Sequence, residues 1–230
     1  FKSRTVSADQ AASKIKSGSN ISYGHATGEP QLMAAAILKL EKELRDVTFI
    51  HGLAMGPGLY CNDNVDPKHI NHETVFAGAN TRKAVQEGRA SFVPMHFSDC
   101  PAAYREGIIP IDVAIIHVSR PDKFGYCTFG ISVDYERAAV ETASLVIAEV
   151  NSKMPRVFGD TLIHVSEIDY FVESDRDLIV MEKPKIGPIE EAIGKNIAEL
   201  VEDGSCLQLG MGAIPNAIME FLGEKNDLGI

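Results

Sequence analysis

The chain has 230 residues, 45% hydrophobic and 23% charged, and a net charge of −10. That is room for one large domain, or for one domain and part of another. So acidic a chain lacks the basic face that nucleic-acid binding requires, and no apolar run is long enough to cross a membrane as a helix. Cys61, Cys100, Cys127 and Cys206 are scattered without a CxxC pair, so neither zinc nor a disulfide framework is expected, and a reducing cytoplasm is the plain setting.

Taken in order, Ser7–Gly18 reads as a short helix with Ser7 as N-cap and Gly18 just past its end. Asn20–Tyr23 is a strand, followed by the bend Gly24–Pro30 and a helix over Pro30–Leu44 with one apolar face. Val47–Ile50 is a second strand, leading into the glycine-rich stretch His51–Gly58. Glu73–Ala77 reads as a strand, and Asn80–Gly88 as a helix capped by Asn80. Ser91–Phe97 alternates like a strand, and Ser98–Pro101 opens a helix. Ile111–Val118 and Leu145–Val150 are continuous apolar runs, the mark of strands covered on both faces, with a helix at Tyr135–Thr142 between them. Phe158–Val172 fits strand or helix. Glu173–Pro188 reads as a connector and Glu190–Glu202 as an amphipathic helix. Strands alternating with helices give an α/β fold with a mainly parallel sheet and helices on both faces. Ligands of such sheets sit beyond the carboxyl ends of the strands, here Gly24–Pro30, His51–Gly58, Ser119–Gly125, Asn151–Pro155 and Gly210–Pro215.

One order of elements occurs twice. Helix, glycine turn, strand, glycine bend, proline-led helix and strand run from Ser7 to Ile50, and again from Glu190 to Ile230. In the second copy the strand is Ser205–Leu209, the bend is Gly210–Pro215 and the closing strand begins at Asp227–Ile230. Residues 1–183 are therefore expected to form one α/β domain, and 184–230 a linker helix with the opening of a second, truncated one. Glycines before a helix let backbone N–H groups approach an anion, so both bends are binding candidates.

The bend Gly210-Met211-Gly212-Ala213-Ile214-Pro215 lacks the third glycine of the dinucleotide fingerprint, and no GKS or GxSxG motif occurs. His25, beside Glu29 at a strand end, serves either acid–base chemistry or loop support. His51, His96, His117 and His164 read as core or loop residues. His69 and His72 lie in an expected polar loop without a third ligand, so no metal is expected. Cys100 reads as buried packing, and Glu190 and Glu191 as a solvated helix face. No residue stands out as a nucleophile.

Gly24–Pro30, Asn80–Arg82 with Glu87-Gly88, Phe92–Pro94, Ala148–Asn151, Gly159-Asp160, His164–Asp169, Pro184–Gly187 and Leu207–Ala217 together resemble the acetyl-CoA hydrolase/transferase family. The likeness is greatest to 4-hydroxybutyrate and butyryl-CoA:acetate CoA-transferases. The resemblance implies two related α/β domains with a site between them, coenzyme A as a substrate and no cofactor. It also implies ping-pong exchange of coenzyme A between a short acyl-CoA and a carboxylate such as acetate, through a glutamyl-CoA thioester. A glutamate carboxylate is ionised at neutral pH and needs no general base to attack.

The family's nucleophilic glutamate follows the Asp227–Ile230 element, so no catalytic residue is expected in this chain. The positions that match are Gln208 with Gly210, Gly212 and Pro215, and the loops holding His25, Glu29, Met55 and Gly56. By position these line the acyl and carboxylate end of the site. A homo-oligomer, acyl-CoA and carboxylate ligands, and an absent C-terminal domain complete the expectation. A thioester hydrolase, a citrate-lyase-like transferase subunit and a non-catalytic domain remain open as alternatives.

Overall fold

The computed structural model describes residues 1–230, which divide into two compact units, Phe1–Val180 and Met181–Ile230. The first is built on seven strands in the order β4-β3-β2-β1-β5-β7-β9. These are β1 (Asn20–Tyr23), β2 (Val47–His51), β3 (Ile70–Thr74), β4 (Ser91–Phe92), β5 (Val113–Val118), β7 (Leu145–Asn151) and β9 (Tyr170–Ser174). All neighbouring pairs are parallel. A separate antiparallel pair, β6 (Tyr126–Thr128) with β8 (Leu162–His164), makes the fold mainly rather than wholly parallel.

Helices α1 (Ala8–Ala12), α2 (Gln31–Lys39) and α3 (Arg82–Gln86) cover one face, and α4 (Cys100–Arg105) and α5 (Glu136–Thr142) the other. The period-2 alternation of a strand sorts the side chains. Val113, Ile115 and Ile147 enter the core under α2, whereas Ala114, Ile116, Val146 and Ala148 enter the core under α5. Both faces of β5 are therefore buried, as its unbroken apolar run requires.

From β1 the chain winds outward through β2, β3 and β4, then returns to β5 on the opposite flank of β1. That reversal makes the carboxyl ends of β1 and β5 the topological switch point, where doubly wound sheets open a crevice.

Several local expectations hold and several shift. Ser7 caps α1 in a reciprocal capping box with Gln10. Asn80 does not cap α3, whose N-cap is Thr81; its Nδ2 instead donates to the Gly56 carbonyl at 2.6 Å. The third strand lies at Ile70–Thr74 rather than Glu73–Ala77, with His72 buried inside it and not in a polar loop. The apolar pair Val75-Phe76 marks only the strand's exit, and Phe76 is exposed. The ambiguous stretch Phe158–Val172 holds β8, a short 3-10 turn at Val165–Glu167 and the start of β9.

In the second unit, α6 (Pro188–Ala198) packs on α7 (Ala213–Glu220) around Ala198, Val201, Ile218 and Leu222. The expected strands Ser205–Leu209 and Asp227–Ile230 reduce to one parallel bridge, Cys206 to Gly229. An isolated two-strand pair is marginal without further strands beside it, whereas β1 has partners on both sides. Pro215 is the third residue of α7 rather than its opener, and Gly212 is the N-cap at a φ of 140° that suits only glycine. Likewise Pro30 precedes α2 as its N-cap.

Candidate functional site

The two loops leaving β1 and β2 are fastened to each other. The pairing of the strands continues past their ends as a bridge between Ala26 and Ala54, with Ala26 N–H donating to Leu53 O at 2.9 Å. Glu29 completes the closure. Its Oε1 accepts from the backbone N–H groups of Met55 at 2.7 Å and Gly56 at 2.9 Å. A methyl group on Gly56 would sit 2.2 Å from Glu29 Oε2, so glycine is required here by close approach of a carboxylate. Glu29 is buried, and burial pushes its pKa up to about 7 against the pull of those two N–H groups.

Behind this clamp lies a narrow crevice of about 10 Å³, room for a single water, lined by Glu29, Gln31, His117, Glu149, Asn151 and Arg176. His117 and Glu149 sit on the α2 face of β5 and β7, in line with Ile115 and Ile147. His117 Nδ1 donates to the Gly28 carbonyl at 3.2 Å. Glu149 Oε2 accepts from the N–H groups of Leu32 at 3.0 Å and Met33 at 3.3 Å. The first turn of α2, expected to offer its N–H groups to an external anion, is therefore capped by a carboxylate of the protein itself. Such a carboxylate satisfies orphan donors and the helix dipole together. Burial still holds the Glu149 pKa above the ordinary carboxylate value.

On the far side of the loop, the His25 ring lies beside Phe97 and Tyr135, with Nδ1 2.7 Å from Asp134 Oδ2. His51 Nδ1 meets the Tyr60 hydroxyl at 2.6 Å, and His72 Nδ1 donates to Phe49 O at 3.1 Å. Both rings are buried, as expected for His51 and contrary to expectation for His72. Burial lowers the pKa of His51 well below its usual value and holds His72 and His117 at about 4. Cys61, Cys100 and Cys127 are buried and their thiols are pushed up by burial, to about 11 for Cys61 and about 12 for Cys127. None is a thiolate nucleophile.

His25, Glu29, Met55 and Gly56 thus gather at the carboxyl ends of β1 and β2. Gln208, Gly210, Gly212 and Pro215 belong to the second unit, where Gln208 and Gly210 are exposed before α7. Glu149, Asp134 and Glu136 were not singled out from the sequence. The signal for Glu149 was present: an acidic residue inside an otherwise apolar, doubly covered strand is rarely left unpaired.

The buried groups set opposing pH dependences. Glu29 and Glu149, with pKa values raised on folding, and Glu136, raised further still by burial and the Asp134 charge, stabilise the fold below their unfolded pKa. That contribution is lost as pH rises through the folded value, about 7 for Glu29. The buried histidines act oppositely: the unfolded chain takes up their protons near pH 6.5 and the folded one only near 4, so stability falls across that window as pH drops. Thermal midpoints measured from pH 8 to pH 4 are expected to rise as pH falls through about 7 and to fall again towards pH 4. An H117N variant should lose less than the parent between pH 6.5 and 4, by on the order of 2 kcal/mol. Equal losses in both proteins would contradict the assignment of His117.

The family profile described as the acetyl-CoA hydrolase/transferase N-terminal domain matches residues 1–181. The 4-hydroxybutyrate coenzyme A transferase of Clostridium kluyveri is 46% identical over 230 residues, which are all of this chain and 53% of that protein. The crystal structure of RipA from Yersinia pestis superposes with a TM-score of 0.94 at 31% identity, covering 100% of this chain and 56% of that one. A 4-hydroxybutyrate CoA-transferase from Porphyromonas gingivalis gives 0.79 at 34% identity, covering 100% and 54%. The chain spans about half the length of the curated relatives it matches. Its fold, its switch-point loops and a profile match over most of its length agree: the chain belongs to the acetyl-CoA hydrolase/transferase family.

Proposed function

We propose that the chain is the N-terminal part of an acyl-CoA:carboxylate CoA-transferase. It moves coenzyme A between a short acyl-CoA (4-hydroxybutyryl-, butyryl- or acetyl-CoA) and a carboxylate such as acetate. The likeness to a 4-hydroxybutyrate coenzyme A transferase along all 230 residues carries the reading. The site chemistry is in keeping with it. No exposed thiolate or serine triad stands at the crevice, and Glu29 and Glu149 already have carboxylate oxygens engaged by backbone N–H groups. On the resemblance to the family, the attacking carboxylate is assigned to a glutamate expected just after the Asp227–Ile230 element. It would attack the thioester carbonyl to give an acyl-glutamyl anhydride and the free CoA thiolate; the thiolate then attacks the glutamyl carbonyl, giving the glutamyl-CoA thioester and releasing the acyl group as its carboxylate.

In this reading His25, Glu29, Met55 and Gly56 are substrate-binding residues of the first unit, and Gln208, Gly210, Gly212 and Pro215 are those of the second. Residues 184–230 are the linker helix and opening of a second domain, and the protein works as a cytoplasmic homo-oligomer without a cofactor. The repeated order of helix, glycine bend and helix supports the second-domain assignment.

Borohydride treatment of the full-length polypeptide after incubation with butyryl-CoA, followed by peptide mass mapping, tests the chemistry. A reduced glutamate is expected in the peptide just past Ile230. Coenzyme A released at the same rate with and without acetate, and no reduced peptide, would assign a hydrolase instead.

A further inference from the structure

Three residues two apart, Ser132, Asp134 and Glu136, close around His25 from the segment that leads into α5. The His25 N–H donates to Ser132 Oγ at 3.1 Å and Glu136 Oε1 at 3.3 Å, and the ring Nδ1 lies 2.7 Å from Asp134 Oδ2. Glu136 is buried and its other oxygen has no partner, so it is committed to this loop. A methyl on Gly52 would come within 2.7 Å of the His25 ring, and Phe97 lies against it with ring centroids 4.9 Å apart. Main chain and ring are thus both fixed, and only Nε2 makes no hydrogen bond to the protein. The hydrogen bond at one ring nitrogen decides which nitrogen carries the proton.

We propose that Asp134 is a positioning residue that holds the proton of the neutral His25 ring on Nδ1, leaving Nε2, the ring nitrogen without a protein partner, as a hydrogen-bond acceptor beside the loops at the carboxyl ends of β1 and β2. An acceptor there recognises a donor on the ligand, a hydroxyl or an amide N–H, and disfavours a carboxylate oxygen or a bare alkyl end. This rests on the reading of those loops as substrate-binding loops of a CoA-transferase. It adds which ring atom faces the ligand and what chemistry it selects. Ser132 and Glu136 hold the backbone and Asp134 sets the ring; none of the three needs to touch the ligand.

Two measurements separate the positioning from the function. In long-range 1H–15N spectra of the chain with labelled histidine at mildly alkaline pH, His25 is expected to show a protonated Nδ1 and a bare Nε2, assigned by loss of its signals in H25Q. In D134A the ring should move to the Nε2–H form or a mixture, while the buried His51 and His72 report an intact sheet. D134N, which keeps the volume of the side chain should D134A fail to fold, should also lose the parent form, because its amide N–H can donate to Nδ1 and place the ring proton on Nε2. A parent ring protonated at Nε2, or a folded D134A that keeps Nδ1–H, overturns the positioning role.

In the full-length polypeptide, the preference for 4-hydroxybutyrate over butyrate as acceptor should fall by about tenfold in D134A and in H25L, and no further in the double variant. A ratio that stays put overturns Nε2 as the recognising atom. Absence of any CoA transfer in the parent, with the tautomers as stated, removes the transferase reading and leaves the positioning role standing.

Discussion

Replacing Glu149 with alanine is expected to lower the thermal midpoint of the chain by roughly 5–10 °C, from a loss of about 2–3 kcal/mol. Two effects add. The N–H groups of Leu32 and Met33 lose the oxygen they share, and a buried donor without a partner costs about 1–3 kcal/mol. The side chain also leaves a hole among residues packed on both faces of β7. Against this stands relief from burying a carboxylate whose pKa is raised, which keeps the net below the sum. E149Q separates the contributions, because its amide oxygen still accepts while the charge facing the helix dipole is gone; about 1 kcal/mol is expected from the dipole alone. Denaturant unfolding of the three proteins at neutral pH decides it. A midpoint unchanged in E149A would mean that α2 does not depend on this cap.

The second large effect is expected at Glu29. In E29A the N–H groups of Met55 and Gly56 lose their common acceptor, and the loop after β2 keeps its link to the loop after β1 through Ala26 and Leu53 but loses the one beyond it. A misplacement of about 1 Å in a substrate-positioning loop costs on the order of a hundredfold in rate, and that is the fall in kcat/KM expected for CoA transfer by the full-length polypeptide. E29Q keeps an oxygen acceptor and should retain more activity than E29A. G56A should mimic E29A from the opposite direction by pushing the carboxylate aside. Amide exchange at Met55 and Gly56 gives an activity-independent check: protection should drop in E29A and in G56A. Unchanged protection in both would show that the clamp does not hold the loop.

How much of this was readable beforehand depends on the kind of signal. The runs Ile111–Val118 and Leu145–Val150 announced doubly covered parallel strands because burial on both faces removes alternation, and β5 and β7 lie there. His25 and Glu29 were marked by their place between a strand end and a helix. The partners of those residues were not legible. Asp134 is 109 residues from His25 and Glu149 is 117 from Leu32, and nothing local records which strands become neighbours. In the second unit composition and structure part for a related reason. Ser205–Leu209 has the composition of a strand, but pairing needs flanking strands, and only the bridge from Cys206 to Gly229 forms. Similarly, Asn80 has the right type for a helix cap but is engaged by Gly56 O. Propensity names what a residue can do; tertiary neighbours choose among the options.

The position of β1 has a consequence for how the chain is made. It precedes every other strand in the chain yet sits mid-sheet between β2 and β5, and one of the two edge strands, β9, comes more than a hundred residues later. The first residues are committed to that late strand as well: Thr5 pairs with Phe171, Val6 N–H donates to Phe171 O, and the Arg4 guanidinium reaches Ile168 O and Val165 O. During synthesis, β1 through β4 emerge with one flank of β1 unpaired, and the segment Arg4–Val6 has no docking place until Phe171 has cleared the ribosome. Long-range parallel pairing is slow and leaves strand edges open meanwhile. The nascent chain is thus most exposed to mispairing between emergence of Tyr23 and of Val118, the interval in which a holding chaperone would matter most.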